Sequence, residues 1–124
     1  MRSALLLPLL LTVFTAVGQD DPDNTINVVS WNIRYDNAHD SLDRWEKRRG
    51  TIASEVSRQH PHIVGLQEVL AHQLAYLEAQ WPSMRHFGVG REDGIAKGEF
   101  SPVFYDPGVL TFVRGRTIWL SETP

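Results

Sequence analysis

The chain has 124 residues, 42% hydrophobic and 22% charged, with 12 Lys+Arg against 15 Asp+Glu and a formal net charge of −3. That length and mixture allow one folded domain at most and exclude a disordered chain or a collagen-like repeat. No global basic field is present to steer nucleic acid, and the absence of cysteine excludes disulfide scaffolds, thiolate metal sites and cysteine nucleophiles.

Met1-Arg2 gives a short positive start, Ala4 to Val17 is an apolar run, and Ala16-Val17-Gly18 places small residues where a signal peptidase cuts. Residues 1–18 are therefore expected to be a signal peptide, cleaved after Gly18 and too short to span a bilayer. No transmembrane segment is expected after its removal, and the location expected is secreted or periplasmic. Residues 19–25 form a polar leader, and residues 26–124 carry the fold.

From Ile26 to Ile33 a β-branched and aromatic run predicts a strand covered on both faces. Arg34 to Arg44 reads as a polar loop. Trp45, Ile52 and Val56 fall at helical spacing and predict a helix to about Gln59, with Asp43 as N-cap and Glu46 closing a capping box. The basic stretch Trp45-Glu46-Lys47-Arg48-Arg49 reads as a solvated helix face. Pro61 ends that helix, and His62 to Gln67 predicts a second strand. Leu70, Leu74 and Leu77 predict a second helix, stopped at Trp81-Pro82. Short β-like runs follow at 86–89, 102–105, 109–113 and 117–120, with turns at Asp106-Pro107-Gly108 and Arg114-Gly115-Arg116. This order predicts a mixed α/β sandwich.

A strand–helix–strand unit of this length makes a right-handed crossover to a parallel strand. The carboxyl ends of both strands then share one edge, where open α/β sheets place their ligands. Asn32 and Glu68, 36 positions apart, would meet there. One amide oxygen and one carboxylate suit a hard, water-rich ion such as Mg²⁺. The same residues also suit plain structural duty, since Asn ends strands and Glu favours helix starts. His60-Pro61-His62 offers an H-x-H pair at a helix-to-strand turn, where two solvated imidazoles need no metal. The glycines around Gly88 lack dinucleotide-fingerprint spacing, and P-loop, G-x-S-x-G and H-E-x-x-H motifs are missing. Arg91 sits in a loop where it suits either a phosphate or a surface ion pair.

Taken together, Val29-Ser30-Trp31-Asn32-Ile33-Arg34-Tyr35-Asp36-Asn37, Arg44 to Arg49 and Pro61-His62-Ile63-Val64-Gly65-Leu66-Gln67-Glu68-Val69 resemble the endonuclease/exonuclease/phosphatase superfamily. Val89 to Gly94, Gly98 to Tyr105 and Phe112 to Pro124 continue the likeness, which is to its secreted bacterial members. The resemblance implies a four-layer α/β/β/α sandwich, deoxyribonuclease-like, and divalent-metal-dependent hydrolysis of phosphate esters. It implies Glu68 as the main protein ligand of Mg²⁺, with Mn²⁺ as a substitute. Asn32 would orient metal-bound water or phosphate oxygen at the same site. Glu99 falls where pancreatic-type deoxyribonucleases have a glutamate that supports the catalytic histidine. The implied partner is a phosphate-ester substrate; nucleic acid is possible within the family but is not indicated by charge.

Domains of this family carry, in their second half, an Asp-x-Asn strand end and a terminal Asp-His pair with no counterpart here. The chain is therefore expected to be the N-terminal half of such an enzyme, inactive alone. The competing expectation is a small secreted binding module derived from half of the domain, with Asn32 and Glu68 as capping residues.

Overall fold

The computed structural model describes residues 25–121. The expected signal peptide and most of the polar leader lie outside them. Strand β1 (Val28–Asn32) leads through a 3-10 segment at Ala38–Asp43 into helix α1 (Trp45–Arg58). Strand β2 (Ile63–Gln67), helix α2 (Ala71–Gln80), strand β3 (Arg85–Phe87) and strand β4 (Val103–Tyr105) follow.

The strands form one sheet in the order β1-β2-β4-β3. β1 and β2 are parallel, with Val28 opposite Ile63 and Asn32 opposite Gln67, as the intervening helix requires. β4 runs antiparallel to both β2 and β3.

One face of the sheet carries the core. Val64, Leu66 and Phe104 project from it and meet Trp45, Ile52 and Val56 of α1 and Leu74 and Leu77 of α2. Trp81, just beyond α2, stands edge-on to Phe104 with ring centroids 5.0 Å apart, and its indole N–H donates to the Ala53 carbonyl at 3.2 Å. A large apolar ring with a polar handle thereby ties the end of one helix to the middle of the other.

The opposite face is open over β1 among the described residues, while on the β4–β3 side Phe112 packs over it, its ring centroid 5.9 Å from that of Tyr105 and 5.5 Å from that of Phe87. Val28 and Val103 are exposed, and β1 holds no fully buried residue. This corrects the expectation of a strand covered on both faces. The residues that alternate onto this face mix Ser30, Gly65 and Gln67 with the apolar Val28, Ile63 and Val103.

Three local expectations are also corrected. Asp43 does not cap α1: it belongs to the 3-10 segment, Arg44 is the N-cap, and no side chain caps that end. Instead the Lys47 N–H reaches the Arg44 carbonyl at 2.9 Å, and Arg48 Nε donates to the Asp43 carbonyl at 2.8 Å. The runs 109–113 and 117–120 are not strands. Val113, Ile118 and Leu120 are exposed, and no described neighbour offers them a hydrogen-bonding ladder. Arg114-Gly115-Arg116 is no turn either; Gly115 lies against Phe87 and Phe112, where a Cβ would come within 2.9 Å of the Phe87 ring. The turn after β4 does form, with Asp106 accepting the Gly108 N–H on its side chain at 2.8 Å.

Candidate metal-holding edge

The carboxyl ends of β1 and β2 lie side by side, and there Asn32 Nδ2 donates to Glu68 Oε1 at 2.8 Å. The second carboxylate oxygen, Oε2, accepts the Tyr35 N–H at 3.2 Å. Asn32 Oδ1 accepts the Arg34 N–H at 2.9 Å. These bonds fix the amide's orientation, since turning it over would set its NH₂ against an N–H and its oxygen against a carboxylate. The Asn32 amide and then the Tyr35 N–H hold the Glu68 carboxyl below its usual range, and the positive charges of Arg34 and Arg48 act in the same direction. Glu68 is thus an ionised group with open lone pairs on both oxygens.

Backbone geometry aims it. Leu66 N–H bonds to the Pro102 carbonyl, and Val69 and Phe100 exchange both backbone bonds at 3.2 and 2.6 Å. Three residue steps separate Leu66 from Val69, whereas two separate Phe100 from Pro102. One extra residue is therefore inserted on the β2 side: a β-bulge, with Glu68 at φ 58° in the left-handed region. A bulge interrupts the alternation of side chains and turns one of them out of register, here a carboxylate at the sheet edge.

Arg34, the second residue past β1, is also left-handed, at φ 60°. This turn throws the carbonyls of Ile33, Arg34 and Tyr35 inward. Arg48 of α1 answers them: Nη1 donates to Ile33 O, and Nη2 to Arg34 O at 2.8 Å and Tyr35 O at 3.3 Å. From the other helix, Gln73 Nε2 donates to Arg34 O at 3.1 Å, and Gln73 Oε1 accepts both the Asp36 and Leu70 N–H groups. The reading of 45–49 as a solvated face is corrected at Arg48, and Arg49 stacks 4.8 Å above the Tyr76 ring. A pattern of charges along a helix cannot reveal that a neighbouring loop will present unpaired carbonyls. Gln73 carried no signal beyond a polar residue on the apolar side of α2.

The structure joins Asn32 and Glu68 by a hydrogen bond, whereas the side chain of Glu99 is bonded to Arg91. Glu99 Oε2 accepts Arg91 Nη1 at 3.1 Å, so Arg91 makes an ion pair. Glu99 precedes Phe100, the residue bridged to Val69, and lines a cavity of about 360 Å³ with Arg91, Ser101 and Trp119. In the H-x-H pair, His62 Nδ1 is occupied by the Asn27 N–H at 3.0 Å. No group of three or more His, Asp or Glu side chains is arranged to hold a metal ion by itself among the described residues. A single carboxylate flanked by an amide still fits Mg²⁺, which keeps several waters and leans on one or two carboxylates plus substrate phosphate.

A sequence profile of the "Endonuclease/Exonuclease/phosphatase family" matches residues 29–118. The chain belongs to that family. Solved structures agree. A family member from Bacteroides vulgatus is 40% identical with a TM-score of 0.65, over 67% of this chain and 32% of its own. A mannosyl-6-phosphatase from Bacteroides thetaiotaomicron is 39% identical with a TM-score of 0.75, over 81% of this chain and 38% of its own. A TDP2 from D. rerio, humanized by 14 mutations, is 22% identical with a TM-score of 0.54, over 67% and 32% respectively, and shows the fold alone. No curated protein sequence matches significantly. The chain thus spans about a third of the length of these family structures and is a partial domain of their α/β fold.

Proposed function

We propose that this chain supplies the metal-holding edge of a divalent-metal-dependent phosphoric-ester hydrolase, with Glu68 the principal ligand of Mg²⁺ or Mn²⁺. The observation that carries the reading is the 2.8 Å contact between Asn32 and Glu68 at the carboxyl ends of two parallel strands. Membership of the family supports it, as does likeness to a protein described as a mannosyl-6-phosphatase. A phosphate monoester of a sugar is the substrate class that likeness favours.

Bound Mg²⁺ would supply Lewis acidity at a phosphoryl oxygen and charge stabilisation for the departing alkoxide. The chain's own residues prepare that position. Glu68 provides the anionic oxygens. Asn32 fixes their orientation through its N–H, and its Oδ1 keeps one lone pair free beside the Arg34 N–H to orient a water or phosphate hydroxyl. Glu99, held by Arg91, is assigned the support of a group that meets the phosphate.

The test is a Mn²⁺ titration of the chain followed by paramagnetic broadening of amide resonances. Glu68→Gln should weaken binding at least about tenfold, as expected when the one anionic ligand becomes neutral. Asn32→Ala should weaken it less. Wild-type Mn²⁺ affinity in Glu68→Gln would refute the assignment.

A further inference from the structure

The Ile33 N–H still reaches Gln67 O at 3.2 Å, but beyond it the backbone to Asp36 leaves the sheet, and the carbonyls of Ile33, Arg34 and Tyr35 are met by side-chain donors from two helices. Gln73 is completely buried, and every polar atom of its side chain is used: Oε1 accepts from Leu70 at 3.0 Å and Asp36 at 3.2 Å, and Nε2 donates to Arg34 O. Arg48 spreads four donated bonds over the carbonyls of Ile33, Arg34, Tyr35 and Asp43, with its guanidinium 5.6 Å above the Trp45 ring. Arg34 O is the shared point, since it accepts from both. The loop they grip presents the Tyr35 N–H to Glu68 Oε2 and the Arg34 N–H to Asn32 Oδ1.

We propose that Arg48 and Gln73 are positioning residues that clamp the Ile33–Asp36 loop from both sides, so that Asn32 and Tyr35 hold the Glu68 carboxylate in its metal-ready orientation. Neither side chain bonds to Glu68, so each acts through the loop. A fork is required at position 48 because four carbonyls converge there. An ammonium group can donate three bonds but cannot present them in one plane at fixed spacing. An amide is required at position 73 because the same side chain must accept two N–H groups and donate to a carbonyl, which neither carboxylate nor alkyl can do.

This inference rests on the metal reading above, and its test separates the two. Arg48→Lys and Gln73→Leu are compared with Leu77→Ala, a core truncation one turn along α2 from Gln73 whose apolar side chain makes no hydrogen bond to the loop, under conditions where every variant is folded. Two quantities are read for each: amide hydrogen exchange at Tyr35 and Asp36 relative to Val64, and Mn²⁺ affinity. The clamp predicts that Arg48→Lys and Gln73→Leu speed exchange at Tyr35 and Asp36 at least about tenfold relative to Val64. It also predicts that they weaken Mn²⁺ binding about five- to tenfold, while Leu77→Ala leaves both within about twofold. Unchanged relative exchange in both clamp variants overturns the proposal, as does loosened exchange with wild-type Mn²⁺ affinity. If the wild-type chain and Glu68→Gln bind Mn²⁺ alike, the metal reading fails by itself, and the exchange ratio still decides whether the two side chains set the loop.

Discussion

Glu68 concentrates two costs in one residue: a left-handed backbone and a carboxylate held among donors. Left-handed geometry costs a non-glycine residue on the order of 1 kcal/mol, and such outliers persist where the surroundings over-determine them. The consequence is an ordering of variants. Glu68→Ala loses the bonds to Asn32 and Tyr35 and keeps the strain, whereas Glu68→Gly loses the bonds and sheds the strain. Urea denaturation should therefore rank Glu68→Gly above Glu68→Ala in midpoint, with Mn²⁺ binding lost in both. The reverse ranking would mean that position 68 is unstrained. A second residue-scale prediction concerns pH. Asp93 accepts the Lys97, Ile95 and Ala96 N–H groups within 2.9 Å, which holds its carboxyl below the ordinary range. A depressed folded-state pKa means that the loop is supported above the unfolded value near about 4 and loosens as pH falls through the folded one. The Ile95 and Lys97 amide shifts should move together with a midpoint below that unfolded value, and Asp93→Asn should abolish the titration. A midpoint at the unfolded value would show that these bonds do not form in solution.

At the scale of elements, the crossover from β1 through α1 to β2 was readable because periodicity and connection length each restrict the outcome. Trp45, Ile52 and Val56 fall on the buried stripe of α1, and a parallel partner follows from the intervening helix. That geometry made the Asn32–Glu68 pairing legible before any coordinates. Sequence reasoning failed where a partner outside the segment decides. The Asp43/Glu46 spacing suits a capping box, but Arg48 takes the Asp43 carbonyl and the chain enters the helix from a 3-10 turn. The β-rich runs at 109–113 and 117–120 have strand composition without a described strand beside them, and composition alone forms no ladder. The packing itself makes a quantitative prediction. Leu77 is fully buried within the core cluster, so Leu77→Ala should cost about 3 kcal/mol through lost transfer energy and the cavity left behind. Chemical denaturation measures it, and a loss below about 1 kcal/mol would indicate that α2 is loosely docked.

For the molecule as a whole, the two sides of the sheet have unequal fates. Helices α1 and α2 bury one side, whereas the other leaves Val28 and Val103 exposed and is covered among the described residues only where Phe112 packs on Tyr105 and Phe87. Relatives of more than twice the matched length have the material for a second layer, consistent with a family whose domain is a four-layer sandwich and with this chain as part of one. We propose that the chain is exported, on the strength of Met1-Arg2, the apolar run to Val17 and the small residues ending at Gly18. Intact-mass analysis of material recovered outside the cytoplasm should find Gln19 as the first residue; a product retaining Met1 to Gly18 would contradict that reading.

The bulge at Glu68 also changes how the sequence around it should be read. Val64 and Leu66 are buried two positions apart, as strand alternation demands, but the next buried residue, Val69, follows after three. The inserted residue shifts the phase of the hydrophobic pattern by one before the chain enters α2 at Ala71. The edge is therefore marked by a skipped beat, Val-x-Leu-x-x-Val, as much as by an acid. An acidic residue can drift onto any exposed strand end without consequence. A phase slip between a buried strand and the buried bridge residue that follows it marks where the backbone bends to turn a side chain out of the sheet.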